Sequence, residues 1–141
     1  MGIALPLLVS LILIAEDDIE MRRMLGAFLR RDGYSVELVS TGIELQERLE
    51  LLARAASPPD LVIADIQMPG LTGLHVLAWT RRYLPRVPFI LITAFGDART
   101  HDRARNLGAA AVFDKPFEMD DLRSHVRAVL RGDEQDARLA T

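Results

Sequence analysis

The chain has 141 residues, half of them hydrophobic, and a formal charge of −3, which fits one globular domain with a core large enough to fold unaided. It has no cysteine, so disulfides and thiolate metal sites are excluded and a reducing compartment is the natural reading. The net negative charge argues against direct nucleic-acid binding, which needs a clustered positive field. The basic pairs Arg22-Arg23, Arg30-Arg31 and Arg81-Arg82 therefore read as solvated helix faces.

The first apolar stretch, IALPLLVSLILIA, has no basic residue before it and is interrupted by Pro6 and Ser10. A membrane span needs about 20 apolar residues and a signal peptide a basic start. A cytoplasmic protein without membrane contact is expected. Residues 1–10 read as an apolar extension, with the domain proper over 11–131 and a polar tail over 132–141.

Five short apolar runs follow one another along the chain: LLVSLILIA, SVELVS at 35–40, LVIADI at 61–66, VPFILITA at 87–94 and AAVFDKP at 110–116. Several are apolar throughout, as expected when helices cover both faces of a parallel sheet. SVELVS alternates more and is expected at an edge.

Between the runs lie segments of helical period. Met21, Leu25, Phe28 and Leu29 share one face, as do Leu45, Leu49 and Leu52. A third helix follows Gly73 and ends near Pro85. A weaker one spans 97–107, with only Ala98, Ala104 and Leu107 as its apolar stripe, and the last carries Leu122, Val126, Val129 and Leu130. Its acids Glu118, Asp120 and Asp121 suit the positive end of the helix dipole. The fold class is α/β, a (βα)5 doubly wound parallel sheet, and in such sheets the working site lies at the carboxyl ends of the strands.

That rule collects residues far apart in sequence. The first run ends at Glu16 and Asp17, the third at Asp65, the fourth at Thr93 and the fifth at Lys115. Clustered carboxylates repel unless something offsets their charge. A hard divalent cation does so, and Mg²⁺ favours oxygen ligands with phosphate oxygens completing its shell. With Lys115 and the Thr93 hydroxyl beside it, the Asp65 carboxylate is suited to attack phosphorus and form an acyl phosphate. Lys115 is the one lysine among 17 basic residues, and a compact ammonium differs from a planar guanidinium as a phosphate contact. Lys115-Pro116 is expected to be a cis peptide bond that aims the lysine into the site.

With these residues in place the sequence resembles the receiver domain of two-component response regulators. The matching motifs are IAEDD, LVIADIQMPGLTG, ILITAF and FDKPF, in order, within a resemblance running from about residue 11 to 131. It implies a flavodoxin-like, five-stranded sheet of order 2-1-3-4-5 and a phosphoacceptor at Asp65. The domain would act as a switch that assists its own phosphorylation and dephosphorylation rather than as an enzyme.

The donor would be a histidine kinase or a phosphotransfer protein, and the cofactor Mg²⁺ or Mn²⁺. The metal set implied is Glu16, Asp17, Asp65 and the backbone carbonyl of Gln67, while Thr93 and Lys115 would contact the phosphoryl group. Asp18 falls outside the acidic pair and reads as a helix cap or a solvated residue. Phosphorylation would switch the surface of helix 4, strand 5 and helix 5, through which the family also pairs as homodimers. RGDEQDARLAT is too short to fold as an output domain, so the chain reads either as a standalone receiver or as a piece of a longer regulator with an output domain or effector that is not specified.

Two features depart from the family or modulate it. The switch aromatic, three residues before the lysine, is replaced by Val112, with Phe113 next to it. The positions flanking the phosphorylation site hold Gln67 and Phe95; Phe95 could shield the acyl phosphate and slow its hydrolysis, while Gln67 could hold a water.

A haloacid-dehalogenase-type phosphatase would need an Asp where Gln67 stands. A dinucleotide-binding module would need a glycine-rich turn that LIAEDDIEM lacks. A phosphorylation-independent receiver-like interaction module is the alternative that Val112 raises. His75, His101 and His125 lack ligand spacing and read as surface or packing residues, as does Trp79.

Overall fold

The computed structural model describes residues 9–132, so most of the expected extension over 1–10 and of the tail over 132–141 lies outside the described residues. Ten elements alternate strictly: β1 (Leu11–Ala15), α1 (Ile19–Arg31), β2 (Ser35–Val39), α2 (Gly42–Arg54), β3 (Leu61–Asp65), α3 (Gly73–Tyr83), β4 (Phe89–Thr93), α4 (Ala98–Asn106), β5 (Ala111–Asp114) and α5 (Met119–Arg131). All strand pairs are parallel and the order is β2-β1-β3-β4-β5. SVELV thus forms an edge, which explains why it alternates while β3 and β4 are buried throughout. Among the described residues no helix is long and apolar enough to cross a membrane.

Side-chain alternation along the strands divides the core in two. Ile12, Ile14, Ile63, Ile90 and Ile92 point to the face covered by Leu25 and Leu29 of α1 and by Leu122 and Val126 of α5. Leu13, Val62, Ala64, Phe89 and Leu91 point to the other, where Leu45 and Leu49 of α2, Leu74 and Leu77 of α3 and Ala104 of α4 pack. One face is therefore built almost wholly of β-branched strand residues, which suit a pleated surface. α4 contributes Ala104 as its single buried residue, so the helix with the poorest apolar stripe in the sequence is also the least anchored.

Side-chain caps mark where four of the five helices begin, α5 being the exception. Asp18, Thr41, Thr72 and Asp97 each accept a hydrogen bond from a first-turn backbone N–H. Asp18 does so from Glu20 at 3.0 Å, which assigns it to the helix rather than to the acidic pair before it. The arginine pairs do more than face solvent: Arg22 donates to the Glu16 carbonyl at 2.9 Å, Arg30 to that of Val36 at 3.0 Å and Arg81 to that of Pro85 at 2.6 Å. Each ties a helix to a neighbouring strand or loop, an effect of the fold's long-range geometry that residue type does not announce.

Gly73 lets α3 start directly against the end of β3. A Cβ there would meet the Asp65 carbonyl oxygen at 2.5 Å and the Ile66 Cα at 3.2 Å, both backbone atoms with no room to yield. Gly73→Ala should therefore destabilise the domain by about 1–3 kcal/mol, read as a lower urea midpoint with an unchanged denaturant slope.

Candidate functional site

The carboxyl edge of the sheet is reached from several strands at once. Glu16 follows β1 and extends its ladder, its N–H donating to the Val39 carbonyl at 3.1 Å. Asp65 ends β3 and is in register with Ile92 of β4. Thr93 ends β4, and the Lys115 N–H donates to its carbonyl at 2.8 Å, so the lysine leaves β5 beside the threonine. Its bond to Pro116 is cis.

Lys115 joins the two buried carboxylates. Its ammonium donates to Glu16 Oε1 at 2.8 Å and to Asp65 Oδ2 at 2.5 Å, with Glu16 only 1% and Asp65 4% exposed. The remaining oxygens are also held: Glu16 Oε2 accepts from the Asp18 N–H at 3.2 Å and Asp65 Oδ1 from the Gln67 N–H at 2.8 Å. Asp17, by contrast, is exposed. Carboxylate oxygens of Glu16, Asp17 and Asp65 lie within 4.8 Å of one another. An all-oxygen donor set with one open, solvent-facing member fits a hard divalent cation.

The electrostatics show how unevenly this charge is balanced. Burial pushes the Glu16 carboxyl up to about 7, with the hydrogen bond from Lys115 opposing the rise and the Asp65 charge adding to it. For Lys115, burial works against the ammonium, yet its hydrogen bonds to Asp65 and Glu16 outweigh burial and hold its pKa above the ordinary lysine value. One ammonium between several acids is thus firmly charged, while one of those acids is left short of compensation.

Thr93 is fully buried. Its hydroxyl accepts from the Phe95 N–H at 3.0 Å and donates to Gln67 Oε1 at 3.2 Å. The loop after it is pinned from outside, because a Cβ on Gly96 would meet Asp114 Oδ1 at 1.6 Å and His101 Nε2 at 2.7 Å. Those two side chains are paired across α4 and β5 at 2.9 Å. Phe95 itself is 73% exposed.

Val112 and Phe113 face opposite sides of β5. Val112 packs with the cluster beneath α2, α3 and α4, beside a groove of about 360 Å³ that His101 and Arg105 help to line. Phe113 belongs to the cluster beneath α1 and α5, its ring edge-on to His125 with centroids 4.9 Å apart. The neighbouring aromatic therefore does not stand in for the one missing at Val112. A larger groove of about 610 Å³ between α3 and α4 is lined by Leu74, His75, Arg99 and Arg103 among others and includes none of the carboxyl-edge residues.

A doubly wound α/β sheet with an acidic pair, an aspartate, a threonine and a lysine at its carboxyl edge defines a class, and comparison with known proteins places the chain within it. A family model, the response regulator receiver domain, matches residues 12–127. The chain is 37% identical over 120 residues to the uncharacterized transcriptional regulatory protein YkoG of Bacillus subtilis, and 34% identical over 125 residues to the response regulator MprA of Mycobacterium leprae. These matches cover 85% and 89% of this chain but only 50% and 53% of the relatives, so the chain spans about half their length.

Among solved structures, a CheY-like receiver domain from Methanospirillum hungatei superposes with a TM-score of 0.82 at 25% identity, covering 92% of this chain and 99% of that one. The non-phosphorylated HemR receiver domain from Leptospira biflexa gives 0.74 at 29% identity, covering 86% and 94%. The chain belongs to the response regulator receiver domain family, whose function is phosphorylation-dependent switching in two-component signalling.

Two features of the site were not legible in the sequence. The Gln67 side chain engages Thr93, and His101 engages Asp114, a packing contact that its lack of ligand spacing could not disclose. Neither pair has a sequence signal, since each joins segments that only the fold brings together, the loop after β3 with the end of β4 and α4 with the end of β5.

The raised Glu16 carboxyl has a consequence for stability. Between about pH 4.5 and 7 the folded state retains a proton that the unfolded chain has released, so this group's contribution to stability falls as pH rises through that window. In chelator, Glu16→Gln should remove that component of the slope, seen by comparing urea midpoints of the two proteins across the same pH range.

Proposed function

We propose that Asp65 accepts a phosphoryl group from a histidine kinase or phosphotransfer protein. The observation that carries this reading is the contact of Lys115 with both Asp65 and Glu16 at the sheet edge, which places a firmly charged ammonium at the carboxylate that would be phosphorylated. One Asp65 oxygen attacks phosphorus as the phosphorus–nitrogen bond of a phosphohistidine breaks, and the ring, protonated beforehand on its other nitrogen, takes the bonding pair and leaves as neutral imidazole. Lys115 then turns part of its hydrogen bonding from the carboxylates to the phosphoryl oxygens, and Thr93 donates its hydroxyl proton to another.

Glu16, Asp17, Asp65 and the Gln67 backbone carbonyl would hold Mg²⁺ or Mn²⁺. When bound, the metal offsets the charge of the carboxylates and of the incoming phosphoryl oxygens. The domain so read is a switch rather than a turnover enzyme and works in the cytoplasm. Its boundaries are 11–131.

The chain would pass its signal through the surface of α4, β5 and α5, to an output domain or effector or to a second copy as a homodimer. The arrangement of Val112 and Phe113 favours one second reading, an interaction module that works without phosphorylation, because no aromatic faces α4 from β5. Phe95, with no polar group to align water, favours slow loss of the phosphoryl group.

Incubation with acetyl phosphate and Mg²⁺ should add one phosphoryl mass, absent in Asp65→Asn, and the adduct should outlast seconds after the donor is removed. Absence of the mass gain in the wild type would favour the second reading. Beryllofluoride should shift the backbone resonances of Thr93 and Phe95, while Val112, which lacks an aromatic ring to exchange, should keep its rotamer. Unmoved Thr93 resonances would count against a switch centred on that hydroxyl.

A further inference from the structure

Thr93 has one hydroxyl proton, and in this structure it is already in use. A threonine hydroxyl offers a single donor, and here it points to Gln67 Oε1 at 3.2 Å while its oxygen accepts the Phe95 N–H at 3.0 Å. Thr93 is fully buried, so water is not at hand to replace a lost partner. Gln67 is exposed, and its amide can be hydrated as soon as it lets go. The two sides of this hydrogen bond are therefore unequal: release costs Gln67 little, but Thr93 cannot leave it without finding another acceptor.

We propose that the Gln67 side chain is a positioning residue that holds the Thr93 hydroxyl in the resting state and competes with the phosphoryl oxygens for its proton. This rests on the reading of Asp65 as phosphoacceptor. The same residue serves Asp65 through its backbone, the Gln67 N–H donating to Asp65 Oδ1 at 2.8 Å. Gln67 thereby links the carboxylate to be modified with the hydroxyl that must respond. Redirection of the Thr93 O–H from the amide oxygen to a phosphoryl oxygen exchanges a neutral acceptor for a charged one, and charge-assisted hydrogen bonds are the stronger. The exchange runs forward once the phosphoryl group is present and reverses when it is lost. Because Phe95 is joined to Thr93 through its backbone N–H, the loop that begins α4 follows the hydroxyl.

Beryllofluoride affinity in the presence of Mg²⁺ tests this directly, measured on the whole chain. Gln67→Leu removes the resting-state acceptor but keeps the backbone contact, and at an exposed position it leaves the core intact. Loss of one neutral hydrogen bond from the resting state should tighten beryllofluoride binding by roughly twofold to tenfold. The Thr93 methyl resonance of the unliganded variant should move toward its beryllofluoride-bound position. In a Thr93→Val background, where there is no proton to compete for, Gln67→Leu should leave the affinity unchanged.

Unchanged affinity where Thr93 is retained would overturn the proposal, as would equal changes with Thr93 and with Val at that position, which would place the effect of Gln67 elsewhere. If the wild type itself fails to bind beryllofluoride, the phosphoacceptor reading fails with it. That result is distinct from wild-type binding without the differential effect.

Discussion

Burial of two carboxylates against a single ammonium organises the carboxyl edge of this domain. Glu16 and Asp65 are held out of water by the ends of β1 and β3, and Lys115 reaches both from β5. Neither acid could stay charged there alone, since an unpaired buried charge is strongly destabilising. The arrangement requires that three strands from separate parts of the chain end at the same level, which the parallel registers of β1 with β3, of β3 with β4 and of β4 with β5 provide. The functional reading grows from this imbalance, because a cluster short of positive charge favours a cation and a ligand that brings its own metal contacts.

Mobility in the domain follows from where packing is thin. β3 and β4 are buried on both faces, and the helices around them anchor through leucines and valines. α4 anchors through Ala104, with Leu107 at its end partly buried on the same cluster, and through the His101–Asp114 pair over Gly96. The segment from Thr93 to α4 is thus held by a few hydrogen bonds more than by apolar packing. It lies between the carboxylate cluster and the face of α4 and β5. Val112 gives that face a small aliphatic side chain packed into the core beneath α2, α3 and α4, and Phe113 beside it points to the opposite face.

Much of this was readable from residues alone, and the reasons are specific. Continuous apolar runs at 61–66 and 87–94 point to a two-sided parallel sheet, and the more alternating 35–40 to an edge, because burial on one or both faces imposes those patterns directly. Glu16, Asp17, Asp65, Thr93 and Lys115 could be grouped because each sits at the end of an apolar run and the topology gathers such ends. The arginines were less legible. Arg22, Arg30 and Arg81 look like solvated helix residues by spacing, yet each reaches a backbone carbonyl, since a long side chain's target depends on which loop lies over its helix.

The amino-acid sequence by itself determined the alternation of strands and helices, the chemical types present at the strand ends and the split of the acidic triplet, with Asp18 suited to cap a helix. These are properties of local pattern, set by periodicity, capping and residue chemistry. Tertiary structure alone decided that Lys115 bridges Glu16 and Asp65, that Gln67 accepts the hydrogen bond of the Thr93 hydroxyl, and that Phe113 faces α5 while Val112 faces α4. Each of those depends on distances between segments brought together only when the sheet closes its register, and one residue's difference along β5 is enough to send a side chain to the opposite face.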